Sequence, residues 1–211
     1  MSELAELLDA LMAEHRRIGS PVPDYFRPGL PADRVREQIV ATVGVDPPAD
    51  AIDVFAWHDG IDNEAWERDD VATGFARVFD DTHFARLSDA IREYRERIET
   101  DETTARYSAP GDAPVTWKSS WFPAFSRGWE TYAIECDPDS ADRGRVYDPS
   151  WDPPIDVGPG PRFRDLLHLV RSVIRRFQAD GYVWNTTTRF LDERPEVLKP
   201  LYEREIAEAR A

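Results

Sequence analysis

An α+β fold, with a central and mainly antiparallel sheet covered by helices, is predicted by three features of this 211-residue sequence. Residues 121–147 read as three short strands joined by two turns. Amphipathic stretches with a 3.6-residue period stand on both sides of them, at 2–17 and 31–43 before and 163–177 after. Two or three strands alone are marginal in water, so the meander requires those helices over its apolar face.

Taken in order, residues 2–17 place Leu4, Leu7, Leu8, Leu11, Met12 and His15 on one helical face. Ser2 stands at the N-cap, acids fill the first turn, Arg16 and Arg17 the last, and Gly19 closes the helix. Pro21, Pro23 and Pro28 predict an irregular linker. Pro31 opens a second helix whose stripe is Val35, Ile39, Val40 and Val43, with Gly44 behind it. Pro47-Pro48 starts a short helix over 49–58 that buries Ile52, Phe55 and Ala56 and ends in Trp57-His58-Asp59-Gly60. Residues 61–73 carry many charges and no period, and so read as an exposed loop. Short strands are expected at 75–79 and 83–87. Ser88 then caps a helix to about residue 102 with Leu87, Ile91, Tyr94 and Ile98 as its stripe.

The meander itself begins with the aromatic run 121–125 and turns at Ser126-Arg127-Gly128. Residues 129–136 alternate, so Tyr132, Ile134 and Cys136 are expected against a core, with Thr131, Ala133 and Glu135 nearer water. A polar loop over 137–144 leads to a third strand at Arg145-Val146-Tyr147. Four prolines and two glycines make 151–161 irregular. Phe163, Leu166, Leu167, Val170, Val173, Ile174 and Phe177 then mark the main helix on the sheet, followed by an extended piece at 182–184 and a helical tail from Pro195. The division expected is 1–30 as an N-terminal helix and proline-rich linker, 31–185 as the α+β domain, and 186–211 as a C-terminal helical tail.

The net charge of −15 argues against nucleic acid or an anionic membrane as partner, since both require a basic face. The excess is confined to two segments. Residues 46–81 hold eleven acids against two bases, and 129–160 hold eight against two, while the rest of the chain balances. No apolar run is long enough to span a membrane, the N-terminus lacks signal-peptide character, and a single cysteine excludes an internal disulfide. A cytoplasmic location is expected. Asn185-Thr186-Thr187 matches a glycosylation sequon, which has no meaning without secretion.

Residue types offer little chemistry. His58, with Asp59 and Glu64 near it, is a candidate metal ligand or base, but no second ligand falls at helical spacing. Asp137, Asp139, Asp142 and Asp148 follow the outline of a calcium loop. That pattern fails at its most specific places, where Ala141 takes the fifth position and Asp142 that of the turn glycine. Cys136 falls on the apolar side of its strand, and nucleophile elbows and phosphate-cradling glycine loops are absent. Neither an enzyme nor a bound cofactor or metal is expected. Trp66 and Trp151, set in acidic irregular segments, are expected to face a partner.

The order of several short motifs carries a resemblance. Trp57-His58-Asp59-Gly60 is followed by Leu87-Ser88-Asp89-Ala90-Ile91-Arg92-Glu93-Tyr94, then by Trp121-Phe122-Pro123. Tyr132-Ala133-Ile134-Glu135-Cys136-Asp137-Pro138, Gly144-Arg145-Val146-Tyr147 and a closing amphipathic helix complete it. Over residues 31–185 the chain resembles the SUKH superfamily, in its Smi/Knr cell-wall-assembly-regulator branch. It departs from the family at 126–130, Ser-Arg-Gly-Trp-Glu, where members often carry a glycine-rich turn and an Asp. The resemblance implies an α+β domain built around a mainly antiparallel sheet. It also implies, for bacterial members, an immunity protein that binds and neutralises a cognate polymorphic toxin of nuclease or deaminase type, and for fungal relatives a regulatory scaffold.

The function expected is therefore a non-enzymatic immunity protein that meets a basic toxin through acidic residues. Asp59, Asp62, Glu64, Asp69, Asp70, Asp137, Asp139 and Asp142, with Trp66 and Trp151, are the expected contacts. An intracellular regulatory scaffold and, more weakly, a metal-dependent hydrolase are the competing readings.

Overall fold

The computed structural model describes residues 2–69, 76–107, 117–127, 130–149 and 161–210. Gly128, Trp129 and most of 151–161 lie outside them, as do the expected contacts Asp70 and Trp151. Among the described residues the architecture is α+β, with seven α-helices around three small antiparallel sheets.

Helix α1 (Glu3–Arg17) forms as its signals predict: the Ser2 hydroxyl accepts the Ala5 N–H at 3.3 Å, and Leu4, Leu8, Leu11, Met12 and His15 are buried. In place of an irregular linker, a 3-10 turn at Val22–Tyr25 leads into β1 (Phe26–Pro28). Proline there closes a short edge strand, a position it tolerates. Helices α2 (Ala32–Val43) and α3 (Ala49–Trp57) form a hairpin through Gly44, whose φ of 79° is left-handed. Strand β2 (His58–Ile61) follows α3 directly and pairs with β1. Gly60 is required there: its φ is 73°, and a Cβ would lie 2.6 Å from the Arg86 nitrogen. Helix α4 (Asn63–Arg68) occupies part of the stretch expected to be loop.

The strands expected at 75–79 and 83–87 are single bridges, Phe79 to Thr82 and His83 to Ser126. A tight turn with Asp80 at φ 47° interrupts them, and Leu87 already opens α5 (Leu87–Tyr107). The central sheet is β3 (Trp121–Arg127), β4 (Glu130–Glu135) and β5 (Val146–Tyr147), in that order and antiparallel. His83 extends it beyond β3 and Phe163 beyond β5, each by one bridge. Phe163, expected in the helix, therefore precedes α6 (Leu166–Gln178), which Asp165 caps through the His168 N–H at 2.6 Å. Strands β6 (Tyr182–Asn185) and β7 (Phe190–Glu193) form a hairpin before α7 (Pro195–Arg210).

One expectation about the sheet is corrected. Thr131, Ala133 and Glu135 were expected nearer water, yet their exposures are 1%, 0% and 2%. The second face is covered by α5. Tyr94 and Trp117 pack on Ala133, Arg97 donates to the Thr131 hydroxyl at 2.8 Å, and Thr131 donates to Glu93. Buried Glu135 is satisfied by the Asp137 N–H at 3.0 Å and by the Trp121 indole N–H at 3.2 Å, as burial of a polar group demands.

The other face carries the main core, in which Leu8 of α1, Phe55 of α3, Phe122 of β3, Val173 of α6 and Leu198 of α7 are parts of one buried cluster. The segments 1–30 and 186–211 thus share their core with 31–185. A buried polar network closes it. Arg176 of α6, fully buried, donates to Asp80 at 3.0 and 3.3 Å and to Glu205 of α7 at 3.1 Å. Tyr182 and Tyr202 donate to Asp80 Oδ1 as well. Burial by itself would raise the Asp80 carboxyl, but the Arg176 charge and the two hydroxyl donors outweigh it and hold the group below the usual carboxylate range.

His15 is the other buried titratable group of consequence. Its Nε2 lies 2.7 Å from the Val78 carbonyl, to which it donates, which leaves Nδ1 to accept from the Ser20 hydroxyl at 3.1 Å. The neutral ring is satisfied and has no site for a second proton, and burial lowers its pKa from 6.5 to about 4. The unfolded chain thus takes up a proton near 6.5 that the folded chain refuses until about 4. Stability from this group is complete above 6.5 and is lost as pH falls to 4, by on the order of 3 kcal/mol. Asp50 acts in the opposite sense, since burial and then Asp165, Asp53 and Glu3 raise it to about 6, so its ionisation weakens the fold as pH rises from 3.8 to 6. Urea unfolding of the wild type and His15→Gln at pH 7 and pH 4.5 separates the two. The variant is expected to lose less stability on acidification, and equal losses would refute the assignment.

Candidate functional site

The two acidic segments meet at the start of α3. In the loop after β4, the Asp137 carboxylate accepts the Asp139 N–H at 2.9 Å and the Ser140 hydroxyl accepts the Asp142 N–H at 3.1 Å. Asp142 in turn receives the Tyr147 hydroxyl at 2.9 Å and pairs with Arg145 at 3.2 Å. Arg143 reaches out of this loop and donates to the backbone carbonyls of Asp46 and Pro47, at 3.0 and 3.4 Å. The Asp46 carboxylate is bound by Arg36 of α2, at 2.9 and 3.1 Å. A chain of contacts therefore runs from the acidic loop through Asp46 to the surface of the α2–α3 hairpin. That hairpin holds an open groove of about 800 Å³, lined by the apolar Val40, Ala41 and Ile52 and by the acids Asp33, Glu37 and Asp53.

The remaining expected contacts, 59–69, form a second patch around β2 and α4. Asp59 accepts the Leu87 N–H at 2.9 Å, and so serves the first residue of α5. Asp62 caps α4 by accepting the Ala65 N–H at 3.1 Å, and that bond, aided by Arg27 and Arg86, holds its carboxyl below the ordinary range. Asp69 receives the Tyr25 hydroxyl at 3.1 Å. Glu64 and Glu67 are exposed on α4. Asp59, Asp62, Asp137 and Asp142 are thus committed to local structure, whereas Glu64 and Asp139 have no ion-pair partner among the described residues.

Trp66 requires a correction. It was expected to face a partner, but only 1% of it is exposed. Its ring meets Tyr25 edge-on at 5.1 Å and Trp184 at 6.3 Å. The reason is α4, a helix of six residues whose single large apolar side chain turns inward. Such an element has no period to detect; only the spacing of a capping Asp62 and Trp66 four residues on marks it. Sequence reasoning also missed the groove, because it placed Val40 in the buried stripe of α2. Val35 and Ile39 are buried, but Val40, a further 100° round the helix, is 36% exposed.

The competing chemistry finds other employment for its residues. His58 is half-buried against Phe26 and Trp57, and its Nδ1 lies 2.5 Å from the Arg27 carbonyl, which ties β2 to β1. Asp148, the last of the calcium-like quartet, pairs with Arg162. Cys136 is buried, and burial pushes its thiol up to about 12, where it is not a nucleophile. Among the described residues no group of three or more His, Cys, Asp or Glu is arranged to hold a metal ion, and no helix is long and apolar enough to cross a membrane. The Asp80–Arg176–Glu205 cluster holds carboxylates and tyrosines together, but every one of these groups is engaged within the core. No family model and no curated protein matches this chain.

Proposed function

We propose that the protein works by binding, without a reaction of its own, and that it receives a basic protein partner on its acidic surface. Neutralisation of a cognate toxin of nuclease or deaminase type is the role that the resemblance to SUKH immunity proteins assigns to it. The observation that supports the reading is how the carboxylates are held. Asp59, Asp62 and Asp137 accept backbone N–H groups, and Glu64 and Asp139 stand exposed beside them, so negative charge is fixed in position at the surface. An array of that kind substitutes for a nucleic-acid backbone, draws a basic partner in and excludes its substrate.

The test compares the wild type with Glu64→Gln, Glu67→Gln, Asp69→Asn and Asp139→Asn combined, a set that spares Asp59, Asp62 and Asp137, whose carboxylates accept backbone N–H groups. Each is titrated with the protein encoded by the gene directly upstream. The association rate is expected to fall about tenfold at low ionic strength and to converge with the wild type at high salt, with the melting temperature unchanged. Unchanged association removes the electrostatic part of the proposal. An upstream protein that carries no toxic activity removes the toxin part and favours a regulatory scaffold.

A further inference from the structure

We propose that the groove between α2 and α3 is a docking site for a short amphipathic helix of a protein partner, one with an apolar stripe flanked by lysines or arginines. The inference rests on the reading of the chain as a receiver of basic partners, and it names a distinct place where such a partner is gripped. Much of the lining is apolar: Val40 and Ala41 come from α2 and Ile52 from α3, and Val40 is the large hydrophobic side chain left most exposed among the described residues. A groove of about 800 Å³ receives several side chains of one helix face, which is how helix-in-groove recognition works.

The acids of the lining select the occupant by charge. Asp33 and Glu37 stand one turn apart on α2, and Asp53 comes from α3. The cation of the lining, Arg36, is already bound by Asp46 and is not offered to an anion. Acids beside apolar side chains suit a helix that carries cations beside its hydrophobic stripe. A second copy of this chain fits badly, since each copy would bring the same acids and a net charge of −15.

The probe is a fluorescent helical peptide of about 18 residues, five turns long, with a leucine stripe and lysine flanks. It is titrated by anisotropy against the full chain, beside the same peptide with glutamate flanks and one with serine in place of leucine. The lysine peptide is expected to bind and the two controls to bind at least about tenfold more weakly. Val40→Arg, at an exposed helical position that folding tolerates, and Asp33→Asn with Glu37→Gln are each expected to reduce its affinity about tenfold. The four-site variant at Glu64, Glu67, Asp69 and Asp139 is expected to leave it unchanged. Absence of binding up to about 1 mM, equal binding of the glutamate peptide, indifference to Val40→Arg, or self-association of the chain abolished by that substitution would each overturn the proposal. Failure here with intact capture of the upstream protein removes the groove alone. Peptide binding with no capture of that protein removes the toxin reading and keeps the groove.

Discussion

Arg176→Leu is expected to destabilise the protein by about 3–5 kcal/mol, the range seen when one partner of a buried ion pair is removed. Arg176 is fully buried and is the cation that both Asp80 and Glu205 address, at exposures of 6% and 3%. Its loss leaves two carboxylates inside the protein, and each must then be protonated or hydrated for the chain to stay folded. Its guanidinium also lies 4.1 Å from the Tyr202 ring centre, so leucine forfeits a cation–π contact as well. In a chain of this length the midpoint of thermal unfolding is expected to drop by on the order of 10 °C. Arg176→Leu combined with Asp80→Asn and Glu205→Gln is expected to recover part of that loss, because the uncompensated charges are gone. A drop below about 1 kcal/mol for the single variant, read by urea unfolding, would show that the carboxylates find other partners.

The second large effect is Trp66→Ala, expected to cost about 3–5 kcal/mol, as truncation of a buried tryptophan does. The residue lies between Tyr25 and Trp184, and so it joins α4 and the turn before β1 to the β6–β7 hairpin. Nearby Glu64→Gln, on the exposed face of the same helix, is expected to change stability by less than about 0.5 kcal/mol. The pair of variants divides the acidic patch into what holds it up and what it shows to a partner. Were Trp66→Ala to keep full stability and lose partner binding, the indole would belong to the interface as its sequence setting first suggested.

Part of the fold is legible in the residues because periodicity and capping are local. Helices α1 and α6 have their stripes, caps and terminal charges within one short stretch of chain, and both form within a few residues of the expected limits. The β3–β4–β5 order follows likewise from alternation and turns. What covers a face is not local. Period two told which residues of β4 share a side, but the helix that buries Thr131, Ala133 and Glu135 comes from 87–107. The β6–β7 hairpin escaped for a related reason: Phe190–Glu193 has two apolar residues, and it forms a strand only against Tyr182–Asn185.

The candidate site divides along the same line. Acidic residues at 46–81 and 129–160 were countable in the sequence, and so was the net charge of −15 they account for. Which of them remain free is a tertiary matter. Asp59 spends its carboxylate on Leu87, 28 residues away, and Arg143 brings the second segment to Asp46 across 97. The amino-acid order by itself determined the fold class, the long periodic helices and the sign of the surface, because those depend on neighbours within a turn or on a sum over the chain. Only the folded molecule decided that Trp66 is core, that Val40 lies in a groove lined in part by acids, and that Asp80, Arg176 and Glu205 share the interior, because each of those outcomes depends on which distant side chain takes the facing position.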